Sequence, residues 1–137
     1  MKDVKMDILQ RLFASHSQKF FSISRIIVGF LFFCHGAQKL FSMFGGQGTY
    51  GKSLLLVAGI LEFSCGALFA VGFLTRYVAF IAAVEMLYAY LSVHSPQGTL
   101  PIQNGGEMAV LYFCFFLFSI ANGAGTWSID SLFKRKS

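Results

Sequence analysis

Residues 53–74, SLLLVAGILEFSCGALFAVGFL, are largely apolar and carry a single charged side chain, Glu62. A helix rises about 1.5 Å per residue, so about 20 apolar residues cross a hydrocarbon core of about 30 Å. The length and composition of this stretch therefore predict a transmembrane helix. A carboxylate at its middle is costly in lipid, so Glu62 is expected to face a protein interior or a wet cavity. Gly59, Gly66 and Ala70 form a stripe of small residues, which predicts close contact with a neighbouring helix.

The composition of the whole chain also indicates a membrane protein. Of its 137 residues, 55% are hydrophobic and 12% are charged, whereas soluble domains carry about 25% charged residues. Runs such as 113–118 do not alternate in polarity, which favours helices over a transmembrane barrel. The sequence therefore predicts an all-α, polytopic membrane protein with a bundle of four transmembrane helices. The four predicted segments are residues 20–41, 53–74, 77–94 and 107–122.

The basic residues predict how these segments are oriented. With four spans, nine of the eleven Lys and Arg residues lie on the side of both termini, and only Lys39 and Lys52 lie on the other. The positive-inside rule then places both termini in the cytoplasm, in a multi-pass protein of the cytoplasmic (inner) membrane. Arg25 is expected to snorkel toward that face, with an inward role as the alternative. The net charge of +5 gives no reason to expect nucleic acid as a partner, and the lipid bilayer is the expected surrounding.

The chain divides into a membrane domain and two basic ends. Residues 1–19 are predicted to be a cytoplasmic N-terminus that forms a short amphipathic helix on the membrane surface, and a frayed basic tail is the alternative. Residues 20–130 are predicted to form the four-helix membrane domain. Residues 131–137 are predicted to be a basic cytoplasmic tail.

Polar residues in or beside the apolar segments predict one internal site. Glu62 and Glu85 each lie roughly 13 Å from the outer ends of their segments, near the middle of the membrane. His35 and Lys39 are four residues apart and share a helix face nearer the outside. The pattern predicts a polar chamber that opens to the outside and has the two glutamates at its floor. The candidates for ligand binding and proton exchange are His35, Lys39, Glu62, Glu85, His94, Asn104 and Glu107.

The turn before the fourth segment carries two of these candidates. Asn104 is predicted to cap the fourth helix. Glu107 is predicted to lie in the first turn of that helix, where the helix dipole favours a carboxylate. Glu107 is also expected to come within reach of Lys39, so that the turn forms a lid over the chamber.

Each candidate also has a structural interpretation, which the sequence leaves open. Glu62 and Glu85 can be protonated groups that hydrogen-bond between helices. Lys39 and Glu107 can be interfacial charges that extend toward the lipid head groups. His94, which precedes Ser-Pro, can simply end a helix.

Several chemistries find no support in the sequence. No Gly-rich phosphate loop, HExxH motif or paired CxxC motif is present. Nothing marks a nucleophile and its base, so no catalytic residue is assigned. No metal ligand is predicted either, and a metal or haem site on His35 and His94 is a disfavoured alternative.

Short motifs are spread over the predicted membrane domain: RIIVG at 25–29, HGAQKLF at 35–41, GFLTR at 72–76, HSPQG at 94–98, NGGE at 104–107 and GTWSID at 125–130. Together they resemble the DoxX family, with Ser42 standing where glycine is frequent. The resemblance implies a four-helix integral protein of the cytoplasmic membrane. The family is named for a small subunit associated with archaeal quinol oxidase and thiosulfate:quinone oxidoreductase.

The resemblance and the polar residues together favour a redox-associated membrane subunit that binds a quinone or a similar small molecule. His35 and Lys39 would hydrogen-bond a carbonyl oxygen, and Glu62, Glu85 or Glu107 would exchange protons. Membrane redox proteins are the expected partners in that case. The alternative is a non-enzymatic scaffold whose buried charges set the helix register and hold a partner. The sequence does not decide whether the chain is an enzyme.

Overall fold

The computed structural model describes residues 8–46, 48 and 52–134, and within these ranges the chain is helical without strands. A π-helical turn at Tyr90–His94 and a 3₁₀ turn at Ser95–Gln97 extend the third helix. The α-helices are α1 (Ile8–Phe41), α2 (Ser53–Val71), α3 (Thr75–Ala89), α4 (Pro101–Asn104), α5 (Glu107–Asn122) and α6 (Ile129–Lys134).

Three helical stretches are long and apolar enough to cross a membrane. They are α1, α2 and the continuous stretch Thr75–Gln97, whereas α5 is equally apolar in character but shorter. The prediction of an all-α, multi-pass membrane protein is thereby confirmed. The fourth span stays a prediction, although α5 has the bounds that the sequence predicts for the fourth segment.

The first helix is longer than the predicted segment. It begins at Ile8, so residues 8–19 continue α1 instead of forming a separate short helix. The reason is local, because no Gly or Pro interrupts the sequence between Ile8 and Val28. Every side chain from 8 to 20 is exposed, so this part of α1 extends beyond the packed bundle. Residues 1–7 of the predicted N-terminal segment and 135–137 of the predicted tail lie outside the described residues.

Helices α1 and α2 pack with their backbones almost in contact. A Cβ added to Gly36 would lie 2.2 Å from the backbone nitrogen of Phe63, and one added to Gly66 would lie 2.3 Å from that of Phe33. Only glycine allows so close an approach. The close helix contact predicted from the small residues of α2 is therefore confirmed, and Gly36 supplies a matching small residue on α1.

Aromatic rings fill the centre of the bundle. Phe32 of α1, Phe69 of α2 and Phe116 of α5 are almost fully buried. Their ring centroids lie 5.0 Å apart for Phe32 and Phe116 and 5.1 Å apart for Phe69 and Phe116, in edge-to-face arrangements. Such pairs favour this geometry. Alanines of α3, including Ala79 and Ala82, are fully buried beside them and bring α3 close to the core.

Successive long helices run in opposite directions, so the bundle has two ends. We call the end with the turn 72–74 and the segment 123–128 the hairpin end, and the end with 42–46 and 95–106 the loop end. At the hairpin end, Gly72 closes α2 in the left-handed conformation (φ 70°). Three residues separate α2 from α3, so these two helices form a tight hairpin.

Candidate functional site

A cavity of about 570 Å³ lies between α2 and α3 toward the loop end, and we call it the seam cavity. Lys39, Glu62, Glu85 and His94 line it. The structure therefore brings together four of the seven candidate residues, from three different helical elements. Apolar side chains make up most of the remaining wall, among them Leu54, Val57, Leu61, Phe80, Val84 and Val93.

The walls of the seam cavity differ from the predicted polar chamber. Val57, Phe80 and Val84 line the cavity and are also 53%, 59% and 53% exposed on the outside of the bundle. In a membrane protein this outer surface faces lipid. The cavity thus has polar groups in its interior and an apolar opening along the seam between α2 and α3. The sequence predicts a polar chamber that opens to the outside, whereas this cavity has largely apolar walls, because the sequence does not reveal how far two neighbouring helices splay apart.

Lys39 and Glu62 form an ion pair at the inner side of this cavity. Lys39 Nζ donates to Glu62 Oε1, and the Glu62 side chain is almost fully buried. Gly59 lies three residues before Glu62, and a Cβ there would lie 3.0 Å from Cβ of Lys39. The missing side chain at 59 lets the lysine stem pass close to α2. The predicted pairing of Lys39 with Glu107 is wrong, because Glu107 is exposed on α5 and Lys39 is turned toward α2.

Two carboxylates leave oxygen atoms without partners. Within the described residues, Oε2 of Glu62 and both oxygens of Glu85 are buried and make no hydrogen bond. Glu85 is only 9% exposed. A carboxyl group in such surroundings is stable only as the neutral acid or with a partner that supplies charge or hydrogen bonds. Glu85 is therefore the group of this cavity with the most unused hydrogen-bonding capacity.

His94 reaches the cavity from the π-helical turn that follows α3. Its Nδ1 lies 3.1 Å from the backbone oxygen of Asn104. A carbonyl oxygen only accepts, so this bond assigns the proton to Nδ1 and leaves Nε2 of the neutral ring as an acceptor. The ring also stacks on Tyr90, at a centroid distance of 6.4 Å. Turns of this wide type occur often at functional sites, and this turn places His94 in the lining of the seam cavity.

The other candidates lie away from the cavity lining. The ring of His35 packs edge-on against Tyr112, at a centroid distance of 5.8 Å, in the space between α1 and α5. The hydroxyl of Tyr112 is buried and has no partner among the described residues. Tyr112 lies in the hydrophobic core, a position typical of a tyrosine in an apolar run.

The prediction that Asn104 caps α5 is wrong. Gly106 occupies the N-cap position, and the amide of Asn104 instead accepts from the Gly106 N–H (2.8 Å) and donates to the Gly98 oxygen (2.9 Å). The reason is the short helix α4, which ends at Asn104 and is followed by Gly105 in the left-handed conformation (φ 68°). Glu107 does lie in the first turn of α5, as predicted.

The hairpin end carries a second buried charge, on Arg25. Its guanidinium is fully buried, so the expected snorkelling is wrong and the inward alternative is right. It donates to the last carbonyl oxygens of α2, which have no partner within that helix, and to the segment after α5. The acceptors are the oxygens of Phe69, Ala70 (2.7 Å), Ala124 (2.8 Å) and Trp127 (2.5 Å).

Comparisons with known proteins settle the family. The sequence pattern of the DoxX family matches residues 20–95, which is more than half of the chain. This chain belongs to the DoxX family. The resemblance noted in the sequence is thereby confirmed, and with the apolar helices it makes the chain a multi-pass membrane protein.

Two relatives resemble this chain in sequence, and both are described as uncharacterized. The DoxX chain is 43% identical over 124 residues to an uncharacterized protein of Haemophilus influenzae, and the alignment covers 85% of this chain and 92% of that protein. A second uncharacterized protein of the same organism is 33% identical over 64 residues, which cover 47% of this chain and 42% of that protein. No solved structure matches the chain. Within the described residues, no cluster of His, Cys, Asp and Glu could hold a metal ion.

Proposed function

We propose that the seam cavity binds a quinone or a similar lipid-soluble molecule, and that the protein is a redox-associated subunit of the inner membrane. The observation that carries this proposal is the pairing of buried polar groups with apolar walls that open toward lipid. A ligand that matches this surface has an apolar body and a small polar head. A quinone with an isoprenoid tail has this character.

The polar groups of the cavity suit the head of such a molecule. Lys39 uses one of its three N–H donors for Glu62 and can donate another to a carbonyl oxygen of the ligand. Nε2 of His94 can accept from a ring hydroxyl. Glu85 can give or take a proton, since it has no other partner among the described residues. Reduction of a quinone to a quinol takes up two electrons and two protons, so a membrane redox protein would supply the electrons.

Binding of a decyl-tailed benzoquinone to the full-length protein in lipid nanodiscs tests this function. Glu85→Gln should weaken binding by at least about tenfold, because it replaces a proton-exchanging group at the ligand head. Glu107→Gln is the matched control, since Glu107 is exposed and lies outside the cavity lining. Equal dissociation constants for both variants, or no binding by the unmodified chain, would overturn the proposal.

We also propose four spans with both termini in the cytoplasm, α5 being the fourth. The support is that α5 is apolar throughout and that the basic residues then fall mostly on one side. Reporter fusions after Gly48 and Gln97 should report the outside, and fusions after Arg76 and Ser137 the cytoplasm. A C-terminal fusion that reports the outside refutes this topology.

A scaffold without a ligand is the second candidate, and the Lys39–Glu62 pair favours it. A buried ion pair between two helices can set their register. In that case the seam cavity would hold only lipid chains. Unchanged stability of the protein on addition of the benzoquinone, together with a large loss of stability in Glu62→Gln, would support the scaffold.

A further inference from the structure

A second cavity, of about 550 Å³, lies at the hairpin end and takes no part in the proposed quinone site. It lies where α3 begins, between the turn 72–74, the segment 123–126 and α6. Two cationic side chains, Arg76 and Lys134, line it together with one carboxylate, that of Asp130. We call it the hairpin cavity.

The carboxylate of the hairpin cavity is already engaged by the protein. Asp130 Oδ1 accepts from the Leu74 N–H (2.8 Å), and Oδ2 accepts from the Thr75 N–H (2.9 Å). The two oxygens thus satisfy donors at the start of α3, where the helix dipole favours a negative charge. The lining retains an excess of one positive charge, which arises from Arg76 and Lys134 against Asp130.

A buried hydroxyl in the lining has unused hydrogen-bonding capacity. Thr75 lines the hairpin cavity and is fully buried, and its Oγ1 has no hydrogen-bond partner among the described residues. Buried polar groups are usually hydrogen-bonded, so an exception asks for a missing partner. Arg76 Nη1 donates to the oxygen of Ile120, which holds the guanidinium in the lining of the hairpin cavity.

Part of the lining of the hairpin cavity is apolar and exposed. Leu74, Tyr77 and Phe133 line it and are 48%, 73% and 63% exposed. The cavity lies at the ends of the membrane-crossing helices, which is the depth of the lipid head groups. Cationic groups together with exposed apolar side chains match a phosphate group that carries acyl chains.

From this arrangement we infer that the hairpin cavity binds the phosphodiester head group of an anionic phospholipid. The phosphate lies against Arg76 and Lys134, and the acyl chains run along Tyr77 and Phe133 into the bilayer. Basic pockets between transmembrane helices bind anionic lipid head groups in this manner. The inference does not depend on the quinone proposal, because none of these residues lines the seam cavity.

Lipid binding to the delipidated full-length protein tests this inference. Phosphatidylglycerol and phosphatidylcholine are titrated separately, and bound lipids are counted by native mass spectrometry. The protein should bind phosphatidylglycerol about fivefold more tightly, the preference expected for one interfacial cation. Arg76→Gln should abolish the preference, and Lys134→Gln should reduce it. Lys52→Gln, at an exposed basic residue of the loop end, is the control and should leave the preference unchanged.

Competition with inorganic phosphate distinguishes a lipid from a free anion. Phosphate should not displace phosphatidylglycerol, because it lacks the acyl chains that contact Tyr77 and Phe133. Displacement by phosphate would overturn the lipid inference, and so would equal affinities for the two lipids in the unmodified protein. If Arg76→Gln fails to insert, an undiminished preference in Lys134→Gln would count against the inference.

Discussion

The two ends of the bundle bury charge in opposite ways. At the hairpin end, Arg25 is fully buried and donates to four carbonyl oxygens. At the loop end, one carboxylate oxygen of Glu62 accepts from Lys39. Among the described residues, neither carboxylate oxygen of Glu85 has a hydrogen-bond partner. Desolvation of a charge is costly in both places. A site whose hydrogen-bonding capacity is filled stabilises the fold, whereas a site with unused capacity is available to a ligand.

The largest expected effect is at Arg25. Arg25→Met keeps much of the side-chain volume but removes the guanidinium donor from four carbonyl oxygens, of which the Phe69 oxygen keeps the Gly72 N–H. We expect a loss of about 3–5 kcal/mol in the free energy of unfolding, measured by denaturant titration in detergent. Arg11→Met is the control, because Arg11 is exposed on the part of α1 that extends beyond the bundle. Similar stabilities of the two variants would contradict a structural role for Arg25.

The next effect concerns the ion pair of the loop end. Lys39→Met and Glu62→Gln should show a coupling energy of about 0.5–3 kcal/mol in a double-mutant cycle, since each residue loses the same contact. His35→Ala combined with Glu62→Gln should instead be additive within about 0.5 kcal/mol, because His35 packs on Tyr112. Unfolding free energies in detergent give both values. If the coupling energy of His35 with Glu62 equals that of Lys39 with Glu62, the three side chains share one polar chamber, as the sequence predicts.

A change of opposite sign is expected at Glu85. Glu85→Met replaces an unpartnered buried carboxyl group with an apolar side chain of similar volume, so stability should be unchanged or rise by roughly 1 kcal/mol. Binding of the benzoquinone should be lost in the same variant. A marked loss of stability would mean that Glu85 has a structural partner. The loop end would then use its buried charge to stabilise the fold, as the hairpin end does.

The smallest effect is expected at Glu107, which lies in the first turn of α5 but outside the seam cavity. Glu107→Gln should lower stability by roughly 0.3–1 kcal/mol, through the lost interaction with the helix dipole. Ligand binding should not change. Unfolding and binding measurements on the same preparation check both points, and impaired binding would return the turn before α5 to the site.

Much of the fold follows from the sequence, because length and apolarity decide which helices can cross a membrane. The bounds of α5 follow from the same pattern. The partner of Lys39 does not, since it depends on the close approach of α1 to α2 that Gly59 permits.

Two further features also lay beyond the sequence pattern. The role of Asn104 depends on the four-residue helix α4, which ends at this residue and moves the cap of α5 to Gly106. The opening of the seam cavity depends on how far α2 and α3 separate, and side chains such as Val57 and Val84 would look the same in a closed interface. Both are matters of tertiary geometry and not of periodicity.

The π-helical turn at Tyr90–His94 sets the direction in which the histidine points. Along an unbroken α-helix, successive residues are about 100° apart, so a residue nine positions after Glu85 would point to the opposite side. The wide turn accommodates about one extra residue and brings the offset down to about 80°. The wide turn thus absorbs one residue and lets His94 point toward the same opening as Glu85. A turn tightened into regular α-helix with all its residues kept would move His94 to the opposite side, whereas deletion of a single residue from the turn would keep the offset at about 80°.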